Sequence, residues 1–201
     1  MLAILAASTL RADVIERTMA IVEGRVVLLS DVQAAIELGL ETPGNAQDPT
    51  TDVLRQLIER ELILAEVERY VPPAPSPVIV AARVDAVRAR FDSSEAFEAV
   101  LRRYGLAEAQ LVDRIRDDVR IEGYLDQRFG STARPTDEAV LEYYREHRAD
   151  FIRPDRTVPL AEASETIRSR LAEQQRQNLI REWIDELRRR ATILAPGLDL
   201  P

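Results

Sequence analysis

The side chains in this chain that could do chemistry are few and widely spaced. The single histidine, His147, stands in the run Tyr143-Tyr-Arg-Glu-His-Arg148, one helical turn from Tyr143, where the two rings can touch. A lone imidazole on a charged helix reads as a solvated residue before it reads as a general base. Acid–base work needs a second converging group whose pKa is driven away from the first. Asp117-Asp118 and Asp85 come nearest to such a pair, but neighbours on a helix point about 100° apart, so these carboxylates read as a wet face. Arg102-Arg103 and Arg188-Arg-Arg190 are the densest cationic runs, and each ends a helical stretch. Positive charge there complements the carbonyl end of the helix dipole, a simpler account than an anion site. With 0 cysteines, disulfides, thiolate nucleophiles and Cys/His zinc sites are excluded. The 7 glycines, at 24, 39, 44, 105, 123, 130 and 197, form neither a phosphate-binding loop nor a dinucleotide fingerprint. No cofactor or metal is expected, and no catalytic residue is assigned.

What remains is a set of rings. Phe91, Phe97, Tyr104, Tyr124, Phe129, Tyr143 and Tyr144, with Phe151 beyond them, fall at helical spacings, so core packing is the default for most. A protein that grips polypeptide must nevertheless expose some of them, and the first seven are the candidate peptide-binding residues.

The elements that must position these rings are nearly all helical. Thr18–Val22 and Arg25–Leu29 are β-prone runs around the turn signal Glu23-Gly24. Ser30 is placed to cap a helix that Gly39 stops, and Thr42–Pro49 is a loop. Thr50 or Thr51 caps the next helix, whose stripe from Val53 through Leu57, Leu62 and Leu64 to Val67 is broad enough for burial. Val71-Pro-Pro-Ala-Pro-Ser76 is a proline-stiffened linker. Ser76-Pro77 opens a helix to about Phe91, Ser93/Ser94 a short one through Tyr104, Ala107 a longer one to Phe129, and Thr136 one that runs to Phe151. The longest spans Leu160 to about Ala191, with Ala163, Ile167, Leu171, Leu179, Trp183 and Leu187 on one side. Thr192–Ala195 is β-prone and suited to pair with the N-terminal hairpin.

Composition bounds the class. A chain of 201 residues with 46% hydrophobic and 31% charged side chains supports a real core and is too apolar for disorder. All 27 basic residues are arginine, and 35 acidic residues bring the formal charge to -8. That balance argues against sequence-independent nucleic-acid binding, which rests on cationic contacts to phosphate. The start, Met1-Leu-Ala-Ile-Leu-Ala-Ala-Ser-Thr-Leu10, is too short to span a bilayer as a helix and reads as the end of a secretory signal, with cleavage after Ala12.

Four segments, in order, resemble one family. Val14-Ile-Glu-Arg-Thr-Met-Ala-Ile-Val-Glu-Gly-Arg-Val-Val-Leu-Leu-Ser-Asp-Val32 is similar to the start of mature SurA-like, parvulin-type chaperones. Leu54-Arg-Gln-Leu-Ile-Glu-Arg-Glu-Leu-Ile-Leu-Ala-Glu-Val67 resembles the helix that follows there. Pro135–Tyr144 with Ala149-Asp-Phe151 resembles the segment before the parvulin domain, and Val158–Leu171 with Trp183–Arg188 resembles the helix after it. The likeness covers nearly the whole chain beyond residue 12. Only Ile152–Val158 separates Phe151 from Pro159, which leaves no room for an isomerase domain of roughly ninety residues, and the family's catalytic residues have no positions here.

The resemblance implies a mostly α fold: a SurA-like core of about six helices with a small hairpin completed by a C-terminal strand. The expected organisation is a signal remnant at 1–12 and a single core at 13–201, in which 159–195 packs back on 13–151. The implied role is an ATP-independent periplasmic holdase for unfolded exported or outer-membrane proteins, not an enzyme and without stable membrane insertion. The alternatives are a scaffold, such as a homodimer, that binds one dedicated native partner, and, less favoured, a residual prolyl isomerase or a trigger-factor type of chaperone.

Overall fold

The structure, a computed structural model, describes residues 16–44, 47–130, 134–154 and 156–198, so the expected signal segment lies outside the described residues. Strands β1 (Thr18–Val22) and β2 (Arg25–Leu28) pair antiparallel, with Val22 opposite Arg25 closing the hairpin. The turn puts both central residues at positive φ, Glu23 at 50° and Gly24 at 83°. Tight hairpins need that geometry to match the strand twist, and glycine meets it without steric cost. Strand β3 (Ile193–Leu194) returns from the far end of the chain to β1, with Ile21 opposite Leu194 and Val22 opposite Ile193. The sheet order is therefore β2-β1-β3, the C-terminal strand completing the hairpin as its sequence suggested.

Among the described residues there are seven α-helices, one above the expected count, because every helical stretch read from the chain forms its own helix. They are α1 (Leu29–Glu37), α2 (Pro49–Tyr70), α3 (Pro77–Arg88), α4 (Ser94–Arg103), α5 (Glu108–Phe129), α6 (Asp137–Glu146) and α7 (Leu160–Arg190). Two starts differ from expectation. Helix α1 begins at Leu29, and Asp31 rather than Ser30 does the capping, its carboxylate accepting the Leu28 N–H at 2.8 Å. Ser30 is buried in the first turn and donates to Glu16 at 2.6 Å. Helix α2 is capped by Asp48, which accepts from the N–H groups of Thr50 and Thr51 and leaves Pro49 at the first helical position. Ser93 and Thr136 cap α4 and α6 as their sequences predict. Helix α6 stops at Glu146 instead of running on to Phe151. A 3₁₀ turn, Arg148–Phe151, follows, letting the Phe151 ring reach Tyr144, 5.0 Å between centroids.

Three apolar clusters hold the elements together. The first joins the sheet (Ala20, Val22, Val27), α2, the C-terminal half of α5 and the C-terminal turns of α7, where Trp183, Ile184 and Leu187 are buried. The second joins α3, α4 and the N-terminal half of α5 to the other side of α1, around Phe97 and Leu38. The third, smaller, lies between α6 and the start of α7, on Val140, Ala163 and Ile167. Helix α7 links the first and third over 31 residues, about 46 Å at 1.5 Å per residue. Its middle, Glu173-Gln-Gln-Arg-Gln177, is polar where it leaves one cluster for the other.

Candidate functional site

The seven candidate rings do not converge; they divide among the three clusters. Phe97 is 1% exposed in the second cluster, with Phe91 half-buried against it at 5.6 Å between centroids. Tyr104 is half-buried, and its hydroxyl donates to Glu37 at 2.6 Å. Burial, helped by that carboxylate, raises the phenol's pKa. Tyr124 and Phe129 are buried in the first cluster, flanking Trp183 at 5.9 and 5.6 Å. Tyr143 and Tyr144 are half-buried in the third, the Tyr144 hydroxyl donating to the Val158 carbonyl at 2.6 Å. Phe97, Tyr124 and Phe129 are thus buried side chains, and the remaining candidate rings are half-buried. Close helix packing of large rings claims them for the core.

The surface offers a different apolar feature. Of seven large exposed hydrophobics among the described residues, four lie within ten positions: Tyr70, Val71, Val78 and Ile79, from 49% to 76% exposed. They flank the proline linker. Val71 terminates α2 in a left-handed conformation, φ 46°, which throws the chain off the helix axis before Pro72, Pro73, Pro75 and Pro77 stiffen it. Two hollows open along this strap. One, about 400 Å³, is bounded by Tyr70, Val71, Pro72, Pro73 and the edge of Tyr124, whose ring lies 5.6 Å from that of Tyr70. The other, about 350 Å³, lies between α3 and α5 on Pro75, Pro77, Val80, Val84 and Val112. Tyr70 escapes sequence reasoning because it ends a broad buried stripe and looks like one more core ring. The signal that could have found it is the Tyr-Val-Pro-Pro junction, where a helix must stop.

A third opening, about 340 Å³, separates the β2–α1 wall from α5, with α2 as its floor. Ala34, Ala35, Leu57, Leu64 and Leu111 make it apolar at depth. Charged arms cross it. Arg60 of α2 donates to Asp118 of α5 at 2.6 Å, and Arg114 of α5 donates to Glu41, just past α1, at 3.0 Å. Burial pulls Arg60 down, but Asp118 together with Glu61 and Asp117 outweighs it and the guanidinium titrates above its ordinary value. Arg114 goes the other way, lowered by burial and by the charge of Arg60. Burial likewise pushes the Glu41 carboxyl above the usual carboxylate range, against the pull of Arg114. The buried Nε of Arg114 has no hydrogen-bond partner.

The residues singled out for chemistry stay apart. His147 is exposed and stacks on Tyr143, 4.0 Å between centroids and 12° between planes, with Nδ1 3.0 Å from the Tyr143 carbonyl oxygen. Asp117 and Asp118 are held by different arginines, Arg120 and Arg60, while Asp85 is paired with Arg88 on the surface. Arg102 and Arg103 pair with Glu98 and Glu37. Arg188 and Arg190 reach across to Glu59 and Glu66 of α2, and Arg189 pairs with Glu186, so the run clamps the end of α7. Among the described residues no three metal-ligating side chains come together, and no helix is long and apolar enough to cross a membrane.

This arrangement of helices is that of a known fold. Against solved structures, the chain superposes on one from Campylobacter jejuni, from work describing the virulence factor PEB4 and the periplasmic protein Cj1289 as two structurally related SurA-like chaperones. The TM-score is 0.55 at 9% identity, over 90% of this chain and 99% of that one. The chain has the fold of a SurA-like chaperone. No protein-family profile matches it, and no curated protein is similar to it in sequence.

Proposed function

We propose that this protein is an ATP-independent holdase that shields unfolded exported polypeptides, outer-membrane proteins among them, in the periplasm, without isomerase activity. The observation that carries the reading is the apolar strap: Tyr70 and Val71 are exposed where α2 ends, Val78 and Ile79 where α3 begins, and a hollow opens at each end of the proline linker between them. Scattered apolar residues are ordinary on a protein surface, whereas four exposed within ten positions, beside open hollows, point to a partner. Open hollows of this kind suit many weak contacts with varied segments, which is what holding an unfolded chain requires. The likeness in fold to SurA-like chaperones, at least one of them described as periplasmic, supports the same reading.

Light scattering tests it. An unfolded outer-membrane protein diluted into buffer should aggregate less as this protein is added, without ATP. The triple substitution Tyr70→Ser, Val78→Ser and Ile79→Ser should weaken that protection several-fold while the melting temperature stays close to the parent's, since exposed positions contribute little to stability. Equal aggregation with and without excess protein refutes the reading, as does tight binding to one native protein with none to unfolded ones.

A further inference from the structure

We propose that the cleft between α1 and α5 is a second client site, gated by the Glu41–Arg114 ion pair, for apolar polypeptide segments flanked by basic residues. The inference rests on the holdase reading above and adds to it where, and which, segments bind. Its volume of about 340 Å³ falls within the range of ligand pockets, about 300–1,000 Å³. The floor is apolar and drawn from both larger clusters: Ala35, Leu57 and Leu64 from one, Ala34 and Leu111 from the other. A cleft at such a seam can widen without either cluster being dismantled.

An ion pair restrains the cleft's rim, and it does so at a cost. Arg114 and Glu41 are linked at 3.0 Å, with side chains 20% and 22% exposed, and the buried Arg114 Nε makes no hydrogen bond, its nearest carboxylate being Asp118 at 4.0 Å. Burial drives both pKa values toward the neutral forms. Both groups therefore regain hydration when the mouth opens, as expected of a buried ion pair whose desolvation rivals its attraction. Arg60 differs, held firmly charged by Asp118 at 2.6 Å, and this second pair keeps α5 tied to the floor when the gate swings. Asp31, Glu61, Asp113 and Asp117 line the cleft, and with Glu41 and Asp118 they outnumber Arg25, Arg60 and Arg114. Arg116 and Arg120 pair with Asp113 and Asp117 and still leave carboxylate in excess. That excess, in a chain of net charge -8, selects cationic flanks on the entering segment.

The chain has no cysteine, so a dye on Val26→Cys, an exposed position lining the cleft, reports its occupancy alone. Two peptides with one apolar core, flanked by lysines or by glutamates, are titrated against it. The lysine-flanked peptide should shift the dye and saturate, with the glutamate-flanked one at least tenfold weaker. The double variant Glu41→Gln, Arg114→Met removes one charge of each sign and leaves the rim's balance unchanged. It should melt several degrees higher than the parent and bind the lysine-flanked peptide at least tenfold more weakly. A merely structural ion pair would not move stability and binding in opposite directions. Parent-like binding by a folded double variant overturns the gate; if that variant does not fold, the two-peptide titration decides alone. A dye blind to both peptides, while aggregation is still suppressed, overturns the site and leaves the holdase reading standing. Failure of suppression itself overturns that reading.

Discussion

Trp183→Ala tests whether the returning helix α7 completes the core or merely lies against it. Trp183 is 9% exposed, with Tyr124 and Phe129 at 5.9 and 5.6 Å and the Arg128 guanidinium over its ring at 5.3 Å. Removing a buried indole forfeits its transfer energy and leaves a cavity, together about 3–5 kcal/mol. The site is poorly able to collapse: both flanking rings are anchored in α5, and Leu179 and Ile180 before it, with Ile184 and Leu187 after it, fix the helix. The upper half of that range is therefore expected. With a urea slope of about 2 kcal/mol per M, the unfolding midpoint should fall by about 2 M, followed by circular dichroism because the chain's one tryptophan is gone. The effect should also reach the strap. Tyr124 lies between Trp183 and Tyr70, so losing the indole removes one support of the ring that Tyr70 packs against, and protection against aggregation should decline. A loss below about 1 kcal/mol with an unchanged slope would refute the argument, showing that α1, α2 and α5 hold the first cluster without α7.

Two further perturbations probe the ion pairs that fasten α7. Glu66 is buried, and its Oε2 lies 3.1 Å from both Arg69 and Arg190. Breaking a buried pair costs 3–5 kcal/mol when the surviving charge is trapped. Here Arg69 and Arg190 are 62% and 48% exposed and can turn to water, so Glu66→Ala should cost about 1–2 kcal/mol, read by urea unfolding. Glu59, paired with Arg188, has its pKa raised above 4.5 because burial outweighs the arginine. A carboxyl raised in the folded state binds its proton more tightly there than in the unfolded chain. Its contribution is complete below the unfolded value and is lost as pH rises through the folded one. Glu59→Gln should therefore flatten the decline in melting temperature between about pH 4.5 and neutrality, and a steeper decline in the variant would contradict the sign.

How much of this was legible beforehand depended on whether the signal was local. The hairpin follows from Glu23-Gly24 between valine-rich runs, and the helices from apolar spacing bounded by Ser93, Thr136 and the prolines. Even the β3 return shows in Thr192–Ala195 following a stripe that ends at Leu187. Where two capping groups of equal chemistry lay side by side, the local signal misled: the helix starts at Leu29, so Asp31 takes the Leu28 N–H while Ser30 donates to Glu16. The cleft was not legible at all. Glu41, Arg60 and Arg114 belong to three elements, and the periodicity of each is equally consistent with a solvated face. Only packing brings the guanidinium of Arg114 between Glu41 and Arg60.

The same distinction explains why aromatic spacing alone does not tell which rings lie at the surface. Aromatic residues at helical spacing report which face of a helix is apolar, and that face is buried wherever another helix is available to cover it. Phe97 and Phe129 were covered. Tyr70 was not, because Val71 breaks α2 one residue later and the prolines hold the following chain off the helix. A holdase must keep apolar surface from being swallowed by its own core. On the proposed reading, that protection would come from backbone rigidity at Val71–Pro77 and from buried charge across the α1–α5 cleft. On that reading, relieving the gate with uncharged side chains should produce a more stable protein that protects its clients less well, by closing the cleft.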